Sequence, residues 1–393
     1  MLVRRLVQPR AVQVARTKGQ GLIRTRASVL SRCPRSPSPQ ARKLFCMAGE
    51  IRMFSTMTSS PPGAGLARSS NTGTSGFVKH HIKLDGGKQI TYEAFEGSME
   101  KPLIDKREYK LIRLENGLEA LLIHDPEADK ASAAMDVRVG HLSDPEGLYG
   151  MAHFCEHLLF MGTKKYPREN EYSEYLSNHS GSSNAFTSLE NTNYFFDVGY
   201  AHFEGALDRF AQFFLEPLFD PSCSEREIRA VDSEHKKNLQ SDLWRSFQLD
   251  KTLSNPSHPY SKFGTGNLAT LWEKPREMGL DIRDELLKFH ERYYSANMMK
   301  LVVLGRESTA KLTEWVAEKF SNVPNKQCDV PSFPGSPLSD RELGTQVLFR
   351  TIKDVRLLDI TFPFPEQADL YRSKPGQLLS HLIGHEAVTY THL

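Results

Sequence analysis

The sequence lacks any long uninterrupted apolar run. Charged residues make up 25% of its 393 residues, and the mean hydropathy is −0.46. No stretch reaches the 18 or so apolar residues that a membrane-spanning helix needs. We therefore predict no membrane insertion and a soluble globular protein with room for two or three domains.

Cysteine is also scarce, and no two cysteines have the Cys-x-x-Cys spacing of a zinc pair. The five cysteines are scattered along the chain: Cys33, Cys46, Cys155, Cys223 and Cys328. This number and spacing exclude a disulfide-stapled scaffold and suit a reducing compartment.

Acidic residues are absent from the first 49 positions, which contain eleven Lys and Arg. The rest of the chain has 39 basic and 48 acidic residues, and this net negative charge argues against nucleic acid as a partner. The Arg-rich head predicts a mitochondrial targeting segment. A disordered basic tail is an alternative. Another is translation from Met47 or Met53, which predicts a cytosolic protein.

The chemistry centres on the segment His153-Phe154-Cys155-Glu156-His157. On a helix, positions i and i+4 share a face and position i+3 lies beside them. Two imidazoles can thus hold one metal ion while the carboxylate faces whatever else the metal binds. The order His-x-x-Glu-His is a known zinc-peptidase signature.

A catalytic zinc site has three protein ligands and a water, so a third ligand must come from elsewhere. The candidate is Glu234, with Glu227 two helical turns earlier as a carboxylate that orients a ligating histidine. From spacing alone, a solvated charged helix face is the alternative for both. Glu156 is then predicted as the general base for the zinc-activated water.

Alternating and helical apolar patterns predict an α+β two-layer domain of sheet plus helices. Asn116-Gly117 predicts a two-residue hairpin turn between two of the strands. The predicted strands are 109–114, 118–123, 131–139, 182–188, 194–198 and 300–304. The predicted helices are 148–160, 202–214, 223–239, 282–294 and 308–320.

Composition divides the chain into three parts. Residues 1–76 are the basic head and a flexible linker, 77–325 form the first domain, and 326–393 hold a Pro-rich linker and the start of a second domain. In that last part we predict strands at 344–349 and 356–362 and a helix from 378. A domain typically needs ~100 residues, so the second one looks unfinished.

Four segments together carry a resemblance to a known family: 153–167, 181–188, 204–214 and 230–235. They closely resemble the insulysin branch of the pitrilysin-like M16 inverted-zincin metallopeptidases. The resemblance covers roughly residues 88 to 386, and the seventy-six residues between His157 and Glu234 match the family's spacing to its third ligand. It implies a pitrilysin/LuxS-like metallopeptidase domain followed by the start of a second similar domain.

The resemblance also implies roles for individual residues. One Zn²⁺ per chain would be held by His153, His157 and Glu234, with Glu156 and Glu227 as the catalytic carboxylates. The implied substrate-binding residues are Asn184 and Ala185, on an edge strand that pairs with the peptide backbone, and Trp244 and Phe247, in a pocket beyond the scissile bond. Packing as core aromatics is the alternative for the last two.

The predicted function is a zinc-dependent metalloendopeptidase that degrades or processes medium-length peptides. Family members have four related domains that close around a chamber, and the C-terminal half is missing from this sequence. The alternative is therefore a catalytically impaired, truncated zinc-binding chain or a structural subunit. A mitochondrial presequence peptidase is a further alternative that ranks below the insulysin-like metalloendopeptidase. A homo-oligomer formed through the missing regions is left open.

Overall fold

The structure is a computed structural model that describes residues 76–84 and 87–384. The predicted targeting segment and the starts at Met47 and Met53 lie outside the described residues. The described chain divides into a larger unit, 76–84, 87–239 and 259–333, and a smaller unit, 240–258 and 334–384. Among these residues, no helix is long and apolar enough to cross a membrane.

The larger unit is built on a sheet of eight strands within the described residues. Their order across the sheet is β1-β2-β3-β4-β8-β5-β7-β6, with β4 and β8 parallel and all other neighbours antiparallel. In chain order the strands are β1 (Phe77–Lys83), β2 (Gln89–Phe95), β3 (Glu108–Leu114), β4 (Glu119–His124), β5 (Lys130–Val137), β6 (Ser182–Thr187), β7 (Thr192–Gly199) and β8 (Met299–Gly305).

Seven helices belong to the larger unit as described, and two to the smaller one. The larger unit contains α1 (Met151–Leu159), α2 (Glu171–Asn178), α3 (Phe203–Leu215), α4 (Pro221–Asn238), α6 (Lys274–Glu277), α7 (Ile282–Tyr293) and α8 (Thr309–Phe320). The smaller unit contains α5 (Asp242–Leu253) and α9 (Pro375–Gly384).

The central strands bury one face and leave the other partly open. In β5, Ala133, Met135 and Val137 are buried while the residues between them are half-exposed, and β7 buries Tyr194 and Phe196 in the same way. A strand with one covered face shows this period of two. Helices α1, α3 and α8 contact the sheet strands, so the α+β prediction is confirmed.

Helix α1 starts later than the predicted residue 148. Residues 149–150 instead form a turn that ends at Gly150, whose φ is +92°. This turn brings the first N–H groups of the helix onto Asp144, whose carboxylate accepts hydrogen bonds from the nitrogens of Gly150 (2.6 Å) and Ala152 (2.8 Å). A carboxylate at this end satisfies donors that the helix itself leaves unpaired.

The predicted two-residue hairpin turn is wrong, because four residues, 115–118, lie between β3 and β4. Leu114 and Leu118 close the loop through a 2.9 Å hydrogen bond, and Gly117, with φ +85°, occupies the left-handed position. Asn116 instead turns its amide toward the end of α8, donating to the carbonyls of Phe320 (2.9 Å) and Val323 (3.0 Å).

The strands predicted at 344–349 and 356–362 are also wrong, since neither segment forms a strand in the described structure. A strand needs a hydrogen-bonded neighbour, and apolar side chains here stay exposed, with Leu348 at 71% and Leu358 at 75%. The residues between these two segments contact α5, where Asp242 accepts hydrogen bonds from the nitrogens of Ile352 and Lys353. Helix α9 confirms the helix predicted from residue 378.

The Asn116 amide caps carbonyls at the end of α8, so its loss should destabilise the fold. We expect Asn116→Ala to lower the free energy of unfolding by about 1–3 kcal/mol, because it strands acceptors that are only partly solvated. Urea unfolding followed by circular dichroism measures this. Glu115→Ala, at the exposed neighbouring position, is the matched control, and equal midpoints for the two variants would contradict the capping role.

Candidate metal centre

Two helices bring the candidate ligands together. Helix α1 is nine residues long and buries Phe154, Cys155 and Leu158 completely, so its polar side chains leave from the opposite side. The side chains of His153 and His157 are each 17% exposed. The four-residue spacing thus places both imidazoles on one face, next to α4, which contacts α1.

Helix α4 has clear sequence reasons for its start and its orientation. Asp220 caps it by accepting from the nitrogen of Ser222, and Pro221 occupies the first turn. Ile228 and Val231 are fully buried, which fixes the side of the helix that faces the core. Glu234 lies near the last turn and is 43% exposed.

Three side-chain atoms converge between these helices. The Nε2 atoms of His153 and His157 are 3.3 Å apart, and the Oε2 atom of Glu234 lies 3.5 Å from the first and 3.8 Å from the second. Groups of three or more His, Cys, Asp or Glu side chains can hold a metal ion, and within the described residues these three form the one such group.

The donor set fits zinc. Two imidazole nitrogens and one carboxylate oxygen are ligands typical of catalytic zinc. With bonds of about 2.0–2.2 Å, a tetrahedral ion places its ligand atoms about 3.3–3.6 Å apart, close to the three distances of this triangle. Three protein donors leave a fourth position for water or substrate.

Each imidazole uses its other ring nitrogen for a contact that orients it. His157 Nδ1 lies 3.2 Å from Oε2 of Glu227. Glu227 is buried and lies two helical turns before Glu234 on α4. Burial disfavours the charged form of His157, yet the Glu227 hydrogen bond and the charges of Glu234 and Glu156 outweigh it, and the pKa is raised. The predicted role of Glu227 in orienting His157 stays a prediction.

The partner of His153 was missed by sequence reasoning. Its Nδ1 lies 2.7 Å from the backbone carbonyl oxygen of Thr265. No side-chain pattern points to Thr265, because its backbone carbonyl makes the contact. The flanking Gly264 and Gly266 are the signal that could have pointed to a close backbone approach.

Glu156 is held apart from the three-atom cluster. Its Oε2 accepts a hydrogen bond from Oγ1 of Thr187 at 2.6 Å, at the end of strand β6. Burial raises the pKa of Glu156, opposed by the nearby His153 and by the Thr187 hydrogen bond. Thr187 is a second contact that sequence reasoning did not identify.

The predicted substrate-binding residues fall into two pairs. Asn184 and Ala185 lie on β6, the strand at one edge of the described sheet, and β6 contacts α1. Trp244 and Phe247 lie on α5 in the smaller unit, with ring centroids 6.1 Å apart in an edge-to-face arrangement and Trp244 46% exposed. Their role in substrate binding stays a prediction.

Comparison with protein families identifies two matching regions. Residues 119–257 match the model described as insulinase, peptidase family M16, and residues 281–393 match the model described as the peptidase M16 inactive domain. The chain belongs to peptidase family M16.

Individual relatives agree with the family assignment. The chain is 58% identical to human insulin-degrading enzyme over 282 residues, which is 72% of this M16 chain and 28% of that protein. It is 52% identical over 295 residues to the A-factor-processing enzyme of Saccharomyces cerevisiae, covering 75% of this chain and 29% of that enzyme. The chain thus spans less than a third of the length of these curated relatives.

Solved structures support the same fold. The crystal structure of pitrilysin superposes with a TM-score of 0.61 at 40% sequence identity, covering 64% of this chain and 26% of pitrilysin. A protease from Helicobacter pylori has a TM-score of 0.51 at 22% identity and shares the fold.

The contact between His157 and Glu227 predicts a metal-binding phenotype. We expect Glu227→Gln to weaken zinc binding about 10–100-fold, because the imidazole loses a charged acceptor that orients it. Competition with a chromogenic chelator measures the zinc dissociation constant. Glu225→Gln, an exposed position on the same helix, is the control, and a similar effect in both variants would exclude a specific orienting role.

Proposed function

We propose that this chain belongs to a zinc metalloendopeptidase that degrades or processes peptides of medium length, with one zinc per chain. The observation that carries the proposal is the triangle of His153, His157 and Glu234 donors beside the separately held carboxylate of Glu156. A metal site with three protein ligands and a nearby base is the arrangement that peptide hydrolysis needs.

The names of the relatives support the substrate class. The human relative is named for degrading insulin, and the yeast relative is named for processing A-factor. We carry over peptides as the substrate class for the present chain and no particular peptide. A partner nucleic acid is not part of the proposal, since the chain outside the basic head is net acidic.

Zinc and Glu156 have different roles in the proposed reaction. When bound, zinc polarises the scissile carbonyl and lowers the pKa of a water ligand to about 7. Glu156 accepts the proton of the attacking water and passes it to the leaving amine. The hydrogen bond from Thr187 engages Oε2 of Glu156, which leaves Oε1 to exchange protons.

Strand β6 is the proposed site for the substrate backbone. It pairs on one side with β7 and ends the described sheet on the other, so its outer hydrogen-bonding groups can pair with an extended peptide. Asn184 and Ala185 lie in the middle of this strand. We further propose that Trp244 and Phe247 contact the substrate, from the resemblance of α5 to family members.

We propose a mitochondrial location directed by the eleven Lys and Arg among residues 1–49, or a cytosolic one if translation begins at Met47 or Met53.

The role of Glu156 can be tested by one substitution. We expect Glu156→Gln to reduce chelator-sensitive hydrolysis of a fluorogenic peptide by roughly 10²–10⁴-fold, since the amide cannot accept the water's proton. Zinc content should stay at one per chain, because the three donors are untouched. Glu174→Gln, an exposed carboxylate on α2, is the matched control.

Two results would contradict parts of this proposal. If Glu156→Gln hydrolyses the peptide at the rate of the native chain, Glu156 is not the base. If the native chain binds stoichiometric zinc and yet shows no chelator-sensitive hydrolysis, a non-catalytic zinc-binding role for this chain replaces the peptidase.

A further inference from the structure

We propose that the loop of residues 262–268 positions His153 for metal binding, and that a backbone contact between Gly150 and Gly266 sets the place of this loop. The inference rests on the proposed zinc site and adds to it a positioning element that lies outside α1 and α4. We refer to residues 262–268 as the glycine loop.

A hydrogen bond joins His153 to the glycine loop. A carbonyl oxygen only accepts, so the 2.7 Å contact with the Thr265 oxygen requires a proton on Nδ1 of His153. The neutral imidazole then has its lone pair on Nε2, the atom that faces His157 and Glu234. The Thr265 carbonyl therefore selects the tautomer and the ring orientation that ligation needs.

A close contact between the backbones of Gly150 and Gly266 places the Thr265 carbonyl. A Cβ atom added to Gly150 would lie 2.2 Å from Cα and 2.5 Å from the nitrogen of Gly266, so the two backbones touch directly. Both residues have left-handed backbones, with φ of +92° and +79°. Only glycine allows this approach at the start of α1, two residues before Ala152 and three before His153.

Hydrogen bonds near both ends attach the glycine loop to the rest of the larger unit. Lys262 Nζ donates to the carbonyl of Asp144 at 2.7 Å, next to the cap of α1. At the other end, the nitrogen of Leu268 donates to Oδ1 of Asp232 at 3.1 Å, on α4. The glycine loop thus joins the two helices that carry the three donors.

The two histidines are consequently oriented by different means. His157 depends on a side chain, Glu227, whereas His153 depends on a backbone atom. Changing the side chain of Thr265 should leave the carbonyl in place, but moving the backbone at Gly266 should displace it. This difference separates a positioning role of the glycine loop from a contact made by any one side chain.

The test compares alanine at two glycines with similar backbones. In Gly266→Ala the new Cβ would lie 2.8 Å from Cδ1 of Leu271 and 3.1 Å from Cα of Gly150, with φ +79°. In Gly279→Ala the φ is +70° and no heavy atom lies within 4 Å of the new Cβ. Both variants carry the strain of a left-handed alanine, and only the first one crowds the glycine loop.

The zinc dissociation constant, measured by chelator competition on the full chain, is the main readout. We expect zinc binding to weaken about 10–100-fold in Gly266→Ala, the range found when groups that orient metal ligands are changed. Gly279→Ala should stay within about twofold of the native chain. Cobalt substitution gives a second readout, because a displaced imidazole should change the visible ligand-field bands of Gly266→Ala alone.

Asp232→Ala covers the case in which Gly266→Ala does not fold, since it releases the glycine loop from α4 without a new Cβ. It should weaken zinc binding in the same direction. Folded Gly266→Ala and Asp232→Ala that bind zinc as the native chain does would overturn the proposal. A native chain that binds zinc without hydrolysing peptide would contradict the proposed function alone, and one that binds no zinc would contradict both.

Discussion

The convergence of two imidazole nitrogens and one carboxylate oxygen within 3.8 Å of one another constrains both helices that carry these groups. Such groups can be held together only if each ring has a fixed tautomer and each helix a fixed axis. The buried residues of α1 and α4 fix the axes, and the Glu227 carboxylate and Thr265 carbonyl fix the rings. The sheet contributes indirectly, by supporting α1 through β6 and β7.

Sequence spacing predicts the parts of this site that lie within one helix. His153 and His157 share a face because of the helical repeat, and Glu227 and Glu234 do so for the same reason. The helical repeat does not predict which helices pack against each other, so it does not predict the contact between α1 and α4. The sequence offered Glu234 only as a candidate, which the resemblance to the insulysin branch strengthened through the spacing to its third ligand, and the structure places its carboxylate beside both imidazoles.

The failures of prediction share a physical cause, since each involves a backbone atom or a distant partner. The Asn116-Gly117 pair favours a two-residue turn locally, but the amide of Asn116 binds carbonyls about 200 residues away and four residues separate the two strands. The alternation at 344–362 resembles strands but finds no sheet neighbour among the described residues. Thr265 could not be found from its side chain, because its carbonyl makes the contact.

Strand β6 joins two functions that the sequence treats separately. Its middle residues, Asn184 and Ala185, belong to the edge proposed to pair with a peptide, and its last residue, Thr187, holds the carboxylate of Glu156. A peptide that pairs with this edge would order the strand along its length, because backbone hydrogen bonds restrain successive residues together. The same pairing would then restrain Thr187, so the proposed substrate binding would be coupled to the position of Glu156 through one short strand.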